Sequence, residues 1–188
     1  MTQVFADLFA PLACFYTAAG TSAPAPQIID GAAMPEPYRS LLVNHGDMTP
    51  TLEQFHACTL HLRVLGCTQV KDDYRRQVLL LNDKDSPVEF GAIRIHLDAL
   101  PLIARTQVLA GQRPLGGILI EHGIPHSSKP SAYFTIIGDA VINHTLGMTP
   151  SSQLYGRCNT LIANDRRLIA DVVEIIPLIV SPSPGAPL

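Results

Sequence analysis

A glutamate interrupts one of the most apolar segments of the chain. The segment Leu168–Ile176 has the two-residue period of a β-strand, and Glu174 falls inside it. Both faces of this strand are apolar: Ala170, Val172 and Ile176 share the face of Glu174, and Ile169, Val173 and Ile175 form the other. Glu174 is therefore expected to be buried, where an ionised carboxylate costs several kcal/mol unless it is paired or hydrogen-bonded.

An arginine occupies a similar position in a second apolar segment. Arg76 opens residues 76–81 and shares a strand face with Val78 and Leu80, so its guanidinium is expected to point toward the core side of a sheet. Two interpretations are open. Arg76 and Glu174 form a structural ion pair between neighbouring strands, or they line a buried site for a small anion. In the second case Arg76 clamps a carboxylate and Glu174 is the polar group at the other end.

Motifs for other chemistry are weak. His122 and His126 are separated by Gly123 and Pro125 and do not share a helical face, and the four cysteines form no C-x-x-C pair. The sequence contains no Gly-rich phosphate loop and no G-x-S-x-G motif. We therefore expect no metal site, no cofactor and no serine-hydrolase chemistry.

The composition is typical of a folded protein with a large core. Of the 188 residues, 47% are hydrophobic and 15% are charged, against about 25% charged in an average soluble domain. The net charge of −3 offers no basic excess for binding nucleic acid. No apolar run reaches the length of a membrane span, and the N-terminus lacks the basic start of a secretory signal, so a cytoplasmic location is expected. The low charge also fits a surface partly covered by a partner, such as a second subunit in a homodimer.

The order of predicted elements indicates an α+β fold. Helices are predicted at residues 3–16, 35–43, 49–56 and 99–110, with Thr49 and Asp98 as N-caps and Gly111 ending the last of them. Residues 113–121 form a short helix or lid. Strands are predicted at 58–70, 74–81, 88–97, 157–163 and 168–176, and residues 130–142 mix strand and turn. We expect one domain over residues 1–180, with a single antiparallel sheet of about six strands and flanking helices, followed by a flexible Pro/Ser-rich tail at 181–188.

Several short stretches, taken in order, resemble the chorismate pyruvate-lyase family and its broader chorismate lyase-like branch over residues 41–178. They are Asp47-Met48-Thr49, Arg76 followed by Val78-Leu79-Leu80, the turn and strand from Pro87 to Gly91, Gly111-Gln112-Arg113-Pro114-Leu115-Gly116, Tyr155-Gly156-Arg157 and Val173-Glu174-Ile175-Ile176-Pro177. The ordered set, rather than any one stretch, carries the resemblance.

The resemblance implies helical flaps over an internal ligand cavity and a cofactor-independent lyase that converts chorismate to 4-hydroxybenzoate and pyruvate. Arg76 would then bind the ring carboxylate, and Glu174 would lie at the oxygen-bearing end of the ring. Glu174 would act as a general base or an orienting group, or a pericyclic route would need no base. The remaining residues expected in the substrate site are Met48, Thr49, Gly91 and Leu115.

Three alternatives to the lyase remain open at this stage. The same fold serves as a non-catalytic aromatic-acid-binding domain in the effector domains of transcription regulators, although no helix-turn-helix segment precedes residue 41. A related enzyme would make another hydroxybenzoate from a chorismate-like substrate. A purely structural protein would simply pair Arg76 with Glu174.

Overall fold

One seven-stranded antiparallel sheet organises the computed structural model, which describes residues 7–179. The strand order across the sheet is β1-β5-β6-β7-β4-β3-β2. The strands are β1 (Gln27–Ile29), β2 (His61–Val70), β3 (Asp73–Leu81), β4 (Pro87–His96), β5 (His126–Ile137), β6 (Gln153–Ala163) and β7 (Leu168–Ile176). The α+β prediction with a single antiparallel sheet is confirmed, and the short edge strand β1 is an addition to the predicted strands.

Helices cover both faces of this sheet. In the described part of the chain they are α1 (Ala10–Ala18), α2 (Tyr38–Leu42), α3 (Met48–His56), α4 (Leu102–Ala110), α5 (Leu115–Glu121) and α6 (Ala140–Leu146), with short 3-10 turns at Gly31–Ala33 and Leu97–Ala99. No helix among residues 7–179 has the length and apolar character needed to cross a membrane.

Strand alternation gives the sheet two faces with different partners. On one face Leu79, Phe90 and Val173 pack in a single apolar cluster with side chains of α1 and α6. The other face carries two separate clusters: α2 and α3 pack near Leu80 and Ile176, whereas α4 and α5 pack near Ile93 and Val172. Arg76 and Glu174 lie on this second face, in the region between the two clusters.

The strand register aligns the polar residues of this face in rows. Arg76 on β3 is opposite Ile93 on β4, which is opposite Val172 on β7. In the next row Val78 faces Gly91, Gly91 faces Glu174, and Glu174 faces Arg157 on β6. Strand β4 therefore separates the strands of Arg76 and Glu174, which are not neighbours as one interpretation required.

Several predicted helix boundaries need correction. Helix α3 begins one residue before Thr49 and has Asp47 at its N-cap, so Thr49 lies inside the first turn. Asp98 belongs to a 3-10 turn, and α4 begins only after Pro101. Gly111 does end α4 in the left-handed conformation, as predicted.

The segment after β5 contains a helix that the sequence analysis missed. Residues 130–142 were expected to mix strand and turn, but α6 begins at Ala140, after Asp139 accepts a hydrogen bond from the Ile142 N–H. The predicted tail at 181–188 and the start of the first predicted helix, residues 3–6, lie outside the described residues.

Candidate functional site

A cavity lies between the second face of the sheet and helices α3 and α5. It holds about 570 Å³ of empty space, its open mouth included. The six residues that the sequence analysis placed in a ligand site all line it: Met48, Thr49, Arg76, Gly91, Leu115 and Glu174. The other lining residues are mostly apolar: Leu62, Val78, Leu80, Ile93, Pro114, Gly116, Leu161 and Val172, with Asp47, Glu89 and Asn159 as the polar members.

The first turns of two helices cover the cavity. Met48 opens α3 directly after Asp47, and Leu115 opens α5 directly after Pro114. These helix starts approach each other, since a side-chain Cβ at Gly116 would lie 3.6 Å from the Cβ of Asp47. The segment predicted as a helix or lid is therefore a short helix over the cavity.

A glycine keeps the floor of the cavity open. Gly91 lies at the centre of the sheet face, between Val78 and Glu174 in the strand register. A Cβ there would be 3.0 Å from Cγ2 of Val78 and 3.2 Å from Oε1 of Glu89, which is closer than most real side chains pack. Any larger residue at position 91 would need its neighbours to move and would occupy ligand space.

Arg76 is almost completely buried, with 1% of its surface exposed. Its terminal nitrogens donate long hydrogen bonds to the carbonyl oxygens of Val108 (3.4 Å) and Arg113 (3.3 Å). Its Nε has no partner, and no carboxylate among residues 7–179 forms an ion pair with it. Burial lowers the pKa of Arg76, which Tyr74 and Cys67 partly oppose. The positive charge of Arg76 is therefore buried without a counterion among residues 7–179, and its desolvation costs substantial free energy.

Glu174 pairs with a different arginine, Arg157 on the adjacent strand β6. Arg157 is fully buried and also donates to the carbonyl oxygens of Leu42 (3.3 Å), Asn44 (3.1 Å) and Gly46 (3.0 Å). Burial alone would lower the pKa of Arg157, but the charge and hydrogen bond of Glu174 raise it above its ordinary value. The structural pairing of Arg76 with Glu174 is therefore wrong.

Glu89 is a second buried acid that the sequence analysis missed. It has 4% of its surface exposed, and its Oε2 has no hydrogen-bond partner in the described part of the chain. Burial, followed by the nearby charge of Glu174, raises its pKa well above the ordinary value, and Arg157 opposes this only partly. This environment therefore favours the neutral, protonated form of the carboxyl group. The signal was available in the sequence, because Glu89 shares a strand face with Gly91 and Ile93, as Glu174 does with Val172.

Two further polar groups border the cavity. Asn159 on β6 donates to the hydroxyl of Ser128 (2.8 Å), while its Oδ1 is buried without a partner among residues 7–179. Asp47 lies 2.9 Å from Nε2 of His126, whose Nδ1 is 2.9 Å from the carbonyl oxygen of Ile124. Three residues that line this cavity, Arg76, Glu89 and Asn159, therefore each have a buried polar atom without a hydrogen-bond partner among residues 7–179. Unpaired polar atoms around one cavity are typical of a ligand-binding site.

The charges around the cavity leave one cation uncompensated. Arg157 pairs with Glu174, the raised pKa of Glu89 favours its uncharged form, and Asp47 is hydrogen-bonded to His126. Arg76 is the buried cation of this site that has no acidic partner among residues 7–179, and a carboxylate on a ligand could pair with it. Within the described residues no three His, Cys, Asp or Glu side chains are grouped so as to hold a metal ion.

No family model and no curated protein matches this sequence. Solved structures do share its fold. The effector domain of PhnF from Mycobacterium smegmatis is 11% identical, with a TM-score of 0.55, and the match covers 72% of this chain and 90% of that domain. In a longer PhnF structure, also 11% identical with a TM-score of 0.56, the match covers 71% of this chain and only 64% of the other. A candidate transcriptional regulator from Streptomyces coelicolor is 15% identical, with a TM-score of 0.50, and the match covers 64% and 87% of the two chains.

The similarity to these solved structures shows which fold this chain has. At 11–15% identity it shows the fold alone, and a fold does not by itself determine a function. The effector domains of such regulators have the chorismate lyase-like fold, so that part of the sequence prediction is confirmed.

The prediction of a chorismate lyase is wrong. The solved structures named above that share the fold are the PhnF effector domain and transcriptional regulators, and no lyase is among them.

Proposed function

We propose that this chain is a non-catalytic, effector-type binding domain whose ligand is a small aromatic acid. The observation that carries the proposal is Arg76, a buried arginine that lines a cavity and has no acidic partner among residues 7–179. A bound carboxylate would accept two parallel hydrogen bonds from the guanidinium and would offset its desolvation.

The rest of the cavity supports a flat, mainly apolar guest. The sheet side is floored by Gly91 with Val78 and Val172 beside it, and Leu115 and Met48 cover it from the helices. Apolar walls with a few convergent polar groups are the usual form of a small-molecule site. Such a domain would bind its ligand without altering it and, as an intracellular sensor, would act in the cytoplasm.

Titration calorimetry and thermal shift with matched ligands test this proposal. We expect 4-hydroxybenzoate to bind and to raise the melting temperature, whereas the uncharged 4-hydroxybenzamide does neither. Arg76→Gln should abolish the response. Arg167→Gln, which removes an exposed arginine paired with Asp165, is the matched control and should leave the response unchanged.

Incubation with chorismate separates binding from catalysis. We expect chorismate to be recovered without release of pyruvate. Equal binding of 4-hydroxybenzoate by the wild type and by Arg76→Gln would refute the role of Arg76, and steady pyruvate production would refute the non-catalytic assignment.

A further inference from the structure

We infer that Glu89 determines which acids the cavity accepts: it donates a hydrogen bond from an uncharged carboxyl group to a neutral acceptor on the ligand, such as a hydroxyl, and a second negative charge at that end is rejected. The inference rests on the proposed function, because it assumes that the ligand's carboxylate is bound by Arg76. It adds the chemical class of the ligand: a monoanion with an uncharged polar group at the far end.

The register places Arg76 and Glu89 at opposite ends of one slot. Arg76 is opposite Ile93, and Glu89 is opposite Leu80, so the Val78–Gly91 pair separates the two. Four residues along a strand and one strand across correspond to roughly 14 Å between the Cα atoms. Gly91 has no side chain to fill the space between them, and the side chains of Arg76 and Glu89 line the same cavity.

The groups that surround Glu89 explain why it stays uncharged. Glu174 on β7 is the nearest acid, and its charge opposes ionisation of Glu89. Arg157 on β6 is the nearest cation, but it is already bound to Glu174 and to backbone carbonyls.

The remaining ionisable groups around the cavity do not supply a counterion. Arg76 on β3 lies at the far end of the slot. On the helix side Asp47 precedes α3 and interacts with His126, and Pro114 with the first residues of α5, Leu115 and Gly116, adds no charged side chain to the cavity wall. A second carboxylate on the ligand would therefore lie beside Glu174 with no free cation to bind it.

A set of para-substituted benzoates tests this inference. We measure dissociation constants of the wild type for 4-hydroxybenzoate, 4-methylbenzoate and terephthalate, a dianion of similar shape. We expect 4-hydroxybenzoate to bind about tenfold more tightly than 4-methylbenzoate, because the latter has no acceptor for Glu89. Terephthalate should bind about a hundredfold more weakly than 4-hydroxybenzoate.

Variants of Glu89 assign this preference to its carboxyl group. In Glu89→Leu the tenfold preference for the hydroxyl should disappear, while the affinity for 4-methylbenzoate is maintained. Glu89→Gln supplies an amide N–H in place of the acid proton and should restore the preference. Asp83→Asn, which removes an acid from an exposed turn, is the matched control.

A ligand-free measurement completes the test and covers variants that fold poorly. The infrared difference spectrum between the wild type and Glu89→Gln should contain the carbonyl stretch of a protonated carboxylic acid at neutral pH. Failure of every benzoate to bind overturns the proposed function and this inference together. Binding with an unchanged hydroxyl preference in Glu89→Leu, tight binding of terephthalate, or a carboxylate band in the spectrum overturns this inference alone.

Discussion

The guanidinium of Arg157 on β6 and the carboxylate of Glu174 on β7 form an ion pair that is buried between neighbouring strands. Since this pair satisfies Glu174, the other buried arginine of the same sheet face, Arg76, has no acid to neutralise it in the described part of the chain. Arg157 also donates hydrogen bonds to the carbonyl oxygens of Leu42 and Gly46 before α3, whereas Arg76 donates only long hydrogen bonds to backbone carbonyl oxygens.

Arg76 should reduce the stability of the ligand-free protein. Replacing even a buried ion pair with apolar side chains is often neutral or stabilising by about 1–4 kcal/mol, and an unpaired buried charge lacks the attraction that offsets desolvation in a pair. We therefore expect Arg76→Met to raise the melting temperature of the ligand-free protein by several degrees and to abolish stabilisation by 4-hydroxybenzoate. Arg167→Met, on the surface, should change neither. A large loss of stability in Arg76→Met would indicate a structural role instead.

Arg157, in contrast, should increase the stability of the folded protein. Removing one partner of a buried pair leaves the other charge unpaired and costs about 3–5 kcal/mol. We expect urea denaturation of Arg157→Met to reveal a loss of this size, since the carbonyls of Leu42 and Gly46 also lose their donor. The double variant Arg157→Met/Glu174→Met should recover part of it. A double variant that is less stable than the single one would contradict the pairing.

Glu89 should make stability depend on pH. Its pKa is raised by burial and by Glu174, so the folded state binds its proton more tightly than the unfolded state. Its contribution is therefore complete below the ordinary carboxyl pKa of 4.5 and is lost as the pH rises toward the folded-state pKa. As the pH rises above 4.5, the unfolding free energy of the wild type should fall more steeply than that of Glu89→Gln. Parallel curves from urea denaturation would exclude a protonated Glu89.

His126 should add a second pH dependence at the cover of the cavity. Burial lowers its pKa, but the hydrogen bonds to the Ile124 carbonyl and the Asp47 carboxylate outweigh this and raise it above 6.5. With both ring nitrogens facing acceptors, the imidazolium form donates both bonds and the neutral form donates only one.

The stability contributed by His126 is therefore present below pH 6.5 and is lost as the pH rises through the folded-state pKa. His126→Gln should remove this part of the pH dependence, as measured by thermal unfolding across that range. His144→Gln, an exposed histidine on α6, should retain it. The same slope in both variants would show that the contact between His126 and Asp47 does not depend on protonation.

Much of the sheet and of the site could be predicted from local patterns. Alternation placed β3, β4 and β7 within a residue or two of their observed bounds, because a two-residue period reports directly which side chains face a core. The same argument identified Arg76 and Glu174 as buried, and both are. Boundaries that depend on capping were less well predicted: Thr49 and Asp98 have the right chemistry for N-caps, but the chain begins its helices elsewhere.

The sequence by itself determined the strands, their inward-facing polar residues and the resemblance to a fold. Only the tertiary structure decided which charge meets which, because ion pairing depends on strand order and register rather than on distance along the chain. Strand β4 lies between β3 and β7 and separates Arg76 from Glu174. Strand β6 lies beside β7, so Glu174 pairs with Arg157 instead. That arrangement leaves Arg76 without an acidic partner among residues 7–179, raises the pKa of Glu89, and places both residues at one cavity.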